Sequence, residues 1–322
     1  MLLLDGCFLV QFMVSMCPDE DRPPPGEEED PLMSRAEVHT HIDAIVRDVL
    51  LLENQIPWAV LEALIELRPG VPVTRLLDRM ASAFHVGGGS ASSTKPSSSS
   101  APIGPEPPHH LLALFHRRQV GKARTQSLRI DVLPSPGSTA VELAEMGVKL
   151  NASGSKKFGD MRMTKRRRPL GLFGELSLAP LVLNDLTACW LLNMAAYEAC
   201  LDATQADNFA VSSYISVVAL LVNRGEDVQE LRARGIINSA MSDDGTLRFF
   251  KWAAPSLRVG GRYFHISQRL QRYKEKRWIW IAIHRFFYRY IKTIVAVLSV
   301  VGVLAGLLKT IPSLSRCNQV NI

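Results

Sequence analysis

Residues 291–311 read IKTIVAVLSVVGVLAGLLKTI, the longest apolar run in the chain. No charged residue lies between Thr293 and Leu308. As an α-helix the run would be about 31 Å long, close to the thickness of the hydrocarbon core of a bilayer. The sequence therefore predicts a single membrane anchor over residues 293–311. We assign to the anchor Thr293, Ile294, Val297, Val300, Val301, Leu304 and Leu308.

The segment before the anchor, residues 269–292, mixes basic and aromatic side chains in the sequence RLQRYKEKRWIWIAIHRFFYRYIK. Aromatic residues favour the membrane–water interface, and basic residues favour its cytosolic side. After the anchor only Lys309 and Arg316 follow closely. This bias predicts that the long N-terminal part lies in the cytosol and that the tail at 312–322 lies on the far side. The membrane that we expect is the plasma membrane. The interface residues are Arg277, Trp278, Trp280, Arg285, Tyr288, Arg289 and Lys292.

Two further interpretations of the apolar run stay open. It could be a buried hairpin or core helix of a soluble protein, although a core helix rarely carries a basic and aromatic flank on one side. In addition, Gly302 and Gly306 form a Gly-x-x-x-Gly pair, a pattern that lets two membrane helices approach closely. A homodimer through this pair is the second interpretation.

The overall composition fits a globular protein of one or two domains with an anchor, at 322 residues and a net charge of +6. The positive charge is concentrated before the anchor and at residues 165–168. It therefore favours a lipid bilayer over nucleic acid as a partner. Cysteines are widely spread and include no Cys-x-x-Cys pair, so we expect a reducing compartment, no disulfide framework and no zinc site. We expect no cofactor.

Apolar residues at helical spacing predict a mainly α-helical bundle with long polar insertions. The predicted helices cover residues 1–13, 38–52, 58–67, 74–84, 109–120, 138–146, 185–201, 209–222 and 227–235. Asn184 and Asp227 are predicted N-caps, and Gly147 and Gly235 are predicted C-caps. Residues 176–183 could be extended. The acidic, proline-rich residues 18–31 predict a loop, and the Gly/Ser/Pro-rich residues 87–108 predict a linker.

Four stretches occur in order: LLENQIPWAVLEALIEL at 51–67, STAVELAEMGVKL at 138–150, LAPLVLNDLTACWLLNMAAYEAC at 178–200 and SSYISVVALLVNRGEDVQELRARGII at 212–237. Together with the Trp-rich basic segment and one membrane helix, they resemble the plant proteins of domain of unknown function 247, also called UPF0481. The resemblance implies a plant membrane protein without an assigned activity; some grass members are implicated in pollen–stigma self-recognition. Members usually begin with a longer segment rich in Pro, Tyr and His, so this chain looks truncated at its N-terminus.

The run Leu52, Glu53, Asn54, Gln55, Ile56 and Pro57 is the most specific part of the resemblance. Pro57 has no amide hydrogen and breaks the helical ladder, which leaves carbonyl groups near Glu53 unpaired. The side-chain amides of Asn54 and Gln55 can satisfy such groups at a tight corner between helices. We favour a structural elbow, and the alternative is a polar binding corner.

No motif in the sequence predicts catalysis. The His-Glu-x-x-His, Walker, Gly-x-Ser-x-Gly and kinase patterns are absent, and the resemblance supplies no catalytic residues to carry over. His109, His110 and His116, beside the predicted linker, are expected to be exposed rather than metal ligands. The acidic pairs at 142 and 145 and at 243 and 244 are expected to be surface charges.

The expected function is therefore non-enzymatic: signalling or recognition at a membrane, through an unknown protein partner. The alternative is a soluble or nuclear regulatory protein that uses the basic patch Lys165 to Arg168. Asn151 begins a glycosylation sequon, which would stay unmodified in the cytosol. The chain divides into the first part of the family domain at 1–86, the linker at 87–108, the remainder of the domain at 109–268, the juxtamembrane segment at 269–292, the anchor at 293–311 and the tail at 312–322.

Overall fold

The computed structural model describes residues 2–17, 35–85, 107–121, 137–165, 174–201, 209–276 and 278–317. Within its helices and strands, side chains are not described at 35–40, 165, 285, 287–289, 291–292 and 306–317. The loop predicted at 18–31 and nearly all of the linker predicted at 87–108 lie outside the described residues.

The described residues are mainly helical, as the sequence predicts. In chain order the helices are α1 (Leu2–Met16), α2 (Arg35–Asp48), α3 (Trp58–Leu67), α4 (Val73–Ser82), α5 (Leu111–Val120), α6 (Ala140–Glu145), α7 (Asp185–Cys200), α8 (Ala210–Leu221), α9 (Gly225–Ala233), α10 (Asp243–Ala253), α11 (Gly261–Lys276) and α12 (Trp278–Cys317). The strands are β1 (Val148–Ala152), β2 (Arg162–Lys165), β3 (Gly174–Leu178), β4 (Leu181–Leu183) and β5 (Ile237–Ser239).

Helix α8 lies in the middle of the hydrophobic core and contacts α7, α10 and α11. Its side chains are buried on every face, including those of Ser212, Ser213 and Ser216. A helix without a polar face has to be covered on all sides. The Tyr214 hydroxyl donates a hydrogen bond to the carbonyl oxygen of Ala179, 2.8 Å away, and burial raises the pKa of this phenol. The core is therefore built around α8.

Aromatic side chains join the N-terminal helices to α7. Trp190 of α7 lies 6.1 Å from the ring of Phe84 and 5.9 Å from the ring of Phe115, centroid to centroid. Its indole N–H donates to the carbonyl oxygen of Val46, near the end of α2, at 3.3 Å. The parts of the fold before and after the predicted linker thus share one core.

Two small sheets accompany the helices, and the sequence predicts only part of them. In the first sheet the strand order is β1-β3-β2, with β1 parallel and β2 antiparallel to β3. In the second, β4 pairs in parallel with β5. The expected extended segment, 176–183, covers β4 and most of β3. Strands β1 and β5 pair with segments that lie far along the chain, as in Val148 with Gly174 and Leu181 with Ile237, so a local pattern does not reveal them.

Local signals define several helix ends as expected. Thr139 and Glu142 form a capping box at the start of α6, and Asn184 caps α7 by accepting a hydrogen bond from the amide of Thr187 at 2.9 Å. Gly147 follows α6 with φ of 79°, a left-handed conformation that favours glycine. These caps are the reason that the sequence predicts α6 and α7 well.

One predicted cap is wrong. Asp227 is not the N-cap of α9, which begins two residues earlier at Gly225. The Asp227 carboxylate instead accepts hydrogen bonds from the amides of Asn223 and Arg224, both at 3.0 Å, and from the amide of Val141 at 3.1 Å. It therefore satisfies donors at the N-terminal ends of both α9 and α6.

Helix α12 is continuous over 40 residues. The sequence predicts a membrane crossing within it, at 293–311. Across the described parts of the chain, no helix combines the length and the apolar character that a membrane crossing needs. The crossing is not supported there and stays a prediction.

Candidate functional site

The run 52–57 forms a corner between α2 and α3. Leu52–Asn54 make one turn of 3-10 helix, and Pro57 directly precedes α3. The Nε2 group of Gln55 donates to the carbonyl oxygens of Val49 at 3.0 Å and Leu51 at 2.7 Å. The unpaired carbonyls that the proline predicts are therefore satisfied by one side-chain amide.

Gln55 also reaches α5. Its Oε1 accepts a hydrogen bond from the amide of Leu112 at 2.8 Å, a donor in the first turn of α5 that has no partner within that helix. The backbone amide of Trp58 donates to the carbonyl oxygen of His109 at 2.8 Å. The corner thus connects α2, α3 and α5.

The remaining polar residues of the run differ from Gln55. Asn54 and Glu53 are exposed, while the amide of Leu52 donates to Oδ1 of Asn193 at 2.8 Å. Both amide hydrogens and the carbonyl of Gln55 are used inside the fold, as a structural elbow requires, and the elbow stays a prediction.

A buried carboxylate that the sequence analysis missed lies at the N-terminus of α8. Glu198 has no exposed surface. Its Oε1 accepts from the amide of Val211 at 2.8 Å, and its Oε2 accepts from the amide of Ser212 at 2.8 Å. Oε1 also lies 2.8 Å from Nε2 of His116. The carboxylate is thus placed against the positive end of the helix dipole.

The expectation that the histidines near the linker are exposed is wrong for His116, which is buried, and for His110, which is half-buried. His110 caps α5 by accepting from the amide of Ala113 at 3.1 Å, and burial, then the charge of His109, lowers its pKa. Both rings meet Tyr197 edge-on, at centroid distances of 5.1 and 5.3 Å. The sequence does contain one signal for this cluster, because Glu198 is the only charged residue of α7 after its first turn.

This cluster resembles an acid–base site in composition but not in geometry. Both oxygens of Glu198 are occupied by helix amides and by His116. A general base needs a lone pair directed at a substrate. We therefore interpret Glu198 as the residue that holds α7, α5 and α8 together.

Three of the four residues in the other acidic pairs make side-chain contacts within the fold. Glu142 belongs to the α6 capping box. Asp243 pairs with Arg232 at 2.9 Å, and Asp244 pairs with Arg248 one helical turn away. Among the described side chains, no three His, Cys, Asp or Glu residues are grouped as they would be around a metal ion.

The base of α12 lies against the folded body. Nδ1 of His284 is 2.9 Å from the carbonyl oxygen of Glu145, at the end of α6, and Tyr273 of α11 donates to the carbonyl oxygen of Met146 at 3.2 Å. Trp278 is 70% exposed, whereas Trp280 is partly buried. The end of α6 therefore contacts both C-terminal helices.

Beyond this base, the apolar side chains of α12 are exposed. Val297, Val300, Val301 and Leu304 each have more than half of their surface exposed. Thr293 is also exposed, and Ile294 is partly covered. Arg277 lies outside the described residues, and so do the side chains of Arg285, Tyr288, Arg289, Lys292 and Leu308. Of Gly306 the structure describes only the backbone path. Of the basic patch at 165–168, the structure describes only the backbone of Lys165.

A family model described as DUF247, a plant protein of unknown function, matches residues 1–305. No curated protein and no solved structure shows a significant match.

Proposed function

The chain belongs to DUF247, a family of plant proteins of unknown function, and from this premise we propose that it is a membrane-anchored, non-enzymatic protein of signalling or recognition. Residues 293–311 anchor it as a single helix in the plasma membrane. The folded body faces the cytosol and binds another protein.

The exposure of α12 carries this proposal. Seven apolar side chains between 295 and 304 are each 54–64% exposed, and they are Val295, Val297, Leu298, Val300, Val301, Val303 and Leu304. At 100° per residue, they point to every side of the helix. A helix that is apolar all round belongs in a protein core or in a membrane, and these side chains are not in the core of this fold. Transfer of such a set from water to hydrocarbon is worth about 10 kcal/mol or more.

The polar groups held inside the fold, buried or part-buried, support a non-enzymatic role. Gln55, Glu198 and Asp227 each bind backbone amides or carbonyls of the fold itself. Their hydrogen-bonding capacity is directed at helix ends, where it stabilises the structure. A scaffold of this kind acts through its surface.

Alkaline carbonate extraction of membranes from plant cells that express the epitope-tagged full chain tests the anchor. The wild-type chain should remain in the membrane pellet, and Val297→Asp with Val301→Asp should release it, because charge is costly in hydrocarbon. The matched control is Asn54→Asp with Asn238→Asp, which adds the same charge at exposed positions and should leave the chain in the pellet.

Release of the wild-type chain into the soluble fraction would overturn the anchor. A full-length fluorescent fusion that is found only in the nucleus would overturn it too, and would favour the regulatory alternative based on Lys165 to Arg168.

A further inference from the structure

One face of α12 carries an apolar residue at every third or fourth position. Between the start of the helix and the proposed membrane span, this face holds Ile279, Ile283, Phe286 and Tyr290. The rings of Phe286 and Tyr290 lie 5.0 Å apart, centroid to centroid, because residues four apart are neighbours on a helix. All four side chains are 45–57% exposed. We call this face, with its continuation along the helix, the seam.

The seam continues without a break into the proposed span. Its positions there are Thr293, Val297, Val300 and Leu304. From Ile279 onwards the spacing alternates strictly between four and three residues, and none of these positions is charged. A strict repeat of 3.5 residues per turn, against 3.6 for a straight α-helix, is the pattern that keeps one face turned towards a second, supercoiled helix.

The seam faces away from the folded body. At 100° per residue, Ile281 lies about 160° around the helix from both Ile279 and Ile283, and Ile281 packs against the hydrophobic core. On the same side as Ile281, Nδ1 of His284 is 2.9 Å from the carbonyl oxygen of Glu145. The body therefore holds the base of α12 by the side opposite the seam, and the seam is open to another molecule.

Lipid does not reach the first part of the seam. The proposed hydrocarbon boundary is at Thr293, and a rise of 1.5 Å per residue places Ile283 about 15 Å and Ile279 about 21 Å outside it. The headgroup layer of one leaflet is only about 5–8 Å thick. Tyr290 therefore lies among the headgroups, whereas Ile279 and Ile283 lie in water. Exposed apolar side chains in water are stabilised when another protein surface covers them.

A second copy of the same helix fits the seam. Two copies anchored in one membrane have the same orientation and the same depth, so their seams meet in parallel and in register. Each seam residue then faces its counterpart across a twofold axis, and no charge is repelled there. Half-exposed side chains along the seam offer on the order of 600 Å² per copy, against about 800 Å² per partner in a standard stable interface.

We propose that the chain forms a parallel homodimer along the seam of α12. This inference rests on the proposed membrane anchoring and names a second copy of the chain as a partner. Burial of Ile279, Ile283 and Phe286 outside the bilayer drives the association, because helices inside lipid gain no hydrophobic driving force from each other. Inside the bilayer the seam residues contribute close packing.

The seam is distinct from the face of Gly302 and Gly306. Those glycines share a face with Val295, which lies about 160° around the helix from Val297 of the seam. Val295 and Val297 are 54% and 56% exposed. The two valines are therefore a matched pair that distinguishes a homodimer along the seam from a homodimer through the glycines.

Disulfide crosslinking of the full-length chain in phosphatidylcholine vesicles tests the seam. Cys7, Cys200 and Cys317 are first replaced by serine, and this background should give no crosslinked dimer. Single cysteines are then introduced into it, and a membrane-permeant oxidant is added. The rate at which a covalent dimer forms is read from a non-reducing gel.

Two matched comparisons give the expected result. Val297→Cys is compared with Val295→Cys inside the bilayer, and Ile283→Cys is compared with Trp278→Cys outside it, where Trp278 is exposed but not on the seam. A disulfide needs Cα atoms within about 7 Å of each other, which only facing positions provide. Each seam cysteine should therefore crosslink at least about tenfold faster than its control.

Charge substitutions measure the contribution of the seam outside the bilayer. Energy transfer between labelled copies, followed as the vesicles are diluted with lipid, gives the equilibrium constant of the dimer. Ile279→Glu with Ile283→Glu should lower it about 100-fold or more, because like charges then face each other across the interface. Trp252→Glu with Trp278→Glu adds the same charge at two exposed positions off the seam and should change it by less than about threefold. Circular dichroism of each variant checks the fold.

Three results would overturn the inference. In the first, Val295→Cys crosslinks as fast as Val297→Cys, which would favour the face of the glycines. In the second, no seam cysteine crosslinks above the background, which would mean that a different protein covers the seam. In the third, the glutamates on the seam change the equilibrium constant no more than the control does. A chain that gives any of these results and still floats with the vesicles overturns the homodimer alone, whereas failure to float would overturn the anchor as well.

Discussion

Gln55→Ala should lower the free energy of unfolding by about 2–3 kcal/mol. The side chain makes three hydrogen bonds, to the carbonyls of Val49 and Leu51 and from the amide of Leu112. A hydrogen bond within a protein contributes about 0.5–1.5 kcal/mol net, and a donor left unpaired costs more when water cannot reach it. The site is part-buried, so we expect a value in the middle of the summed range.

The assay is urea unfolding of the full-length chain in mild detergent, followed by far-UV circular dichroism. A lower midpoint at an unchanged slope reports a loss of stability. Asn54→Ala is the matched control, because Asn54 is the neighbouring amide in the same run and is exposed. It should change the free energy of unfolding by less than about 0.5 kcal/mol.

Gln55→Glu separates hydrogen bonding from packing. The glutamate keeps the size of the side chain and can still accept from the amide of Leu112, but it places an oxygen against the carbonyls of Val49 and Leu51. It should destabilise the fold at least as much as alanine does at neutral pH. If Gln55→Ala proved as mild as Asn54→Ala, or if Gln55→Glu were neutral, the structural elbow would be refuted in favour of a binding corner.

Three other substitutions follow from the described contacts. Glu198→Ala should lower the free energy of unfolding, measured in urea, by about 3–5 kcal/mol. It leaves the amides of Val211 and Ser212 and the ring of His116 without their partner in a buried site. The control Glu53→Ala, at an exposed carboxylate, should leave this free energy nearly unchanged. Burial, Lys156 and Lys157 lower the pKa of His85 to about 4 in the folded chain. As the pH falls, His85 is therefore protonated in the unfolded chain at a higher pH than in the folded chain. Stability should therefore fall by about 1 kcal/mol, after solvent screening, as the pH drops from about 6.5 towards 4. His85→Gln should reduce this dependence of stability on pH, and His109→Gln should not. Gly147→Ala should cost about 1 kcal/mol, because φ is 79° there; Gly154→Ala, with no neighbouring atom within 4 Å of the added carbon, should cost less.

The parts of the fold that the sequence predicts well are those with local causes. Helix α3 begins just after Pro57 and has the bounds expected from its apolar spacing. Asn184 caps α7, and Gly147 follows α6 in the left-handed conformation. Each of these signals lies within a few residues of the structure that it determines.

Helix α11 was not predicted because few apolar residues mark its buried face. Among its 16 residues the buried side chains are Ile266, Ser267, Leu270 and Tyr273, so only three apolar residues at helical spacing stand within a mostly polar and basic segment. Its register is set by contacts with β2, more than 100 residues earlier in the chain. Apolar spacing alone is a poor guide to such a helix.

The difference between local and long-range causes also explains which contacts of the candidate sites the sequence predicts. A carbonyl-binding role for Gln55 follows from the adjacent proline, whereas its bond to Leu112 joins residues 57 positions apart. Glu198 and His116 are 82 positions apart. A lone glutamate on an apolar helix predicts a buried partner, but only the tertiary structure identifies that partner.

Native cysteines allow the most direct test of the proposed anchor. Cys7 and Cys200 are exposed free thiols on the folded body, and Cys317 follows the proposed membrane span in sequence. Sealed vesicles with the cytosolic face outward are treated with a membrane-impermeant maleimide, with and without detergent. Labelling of Cys7 and Cys200 in intact vesicles, with Cys317 labelled only after detergent, is the predicted result. Labelling of Cys317 in intact vesicles at the rate of Cys200 would contradict a helix that crosses the membrane.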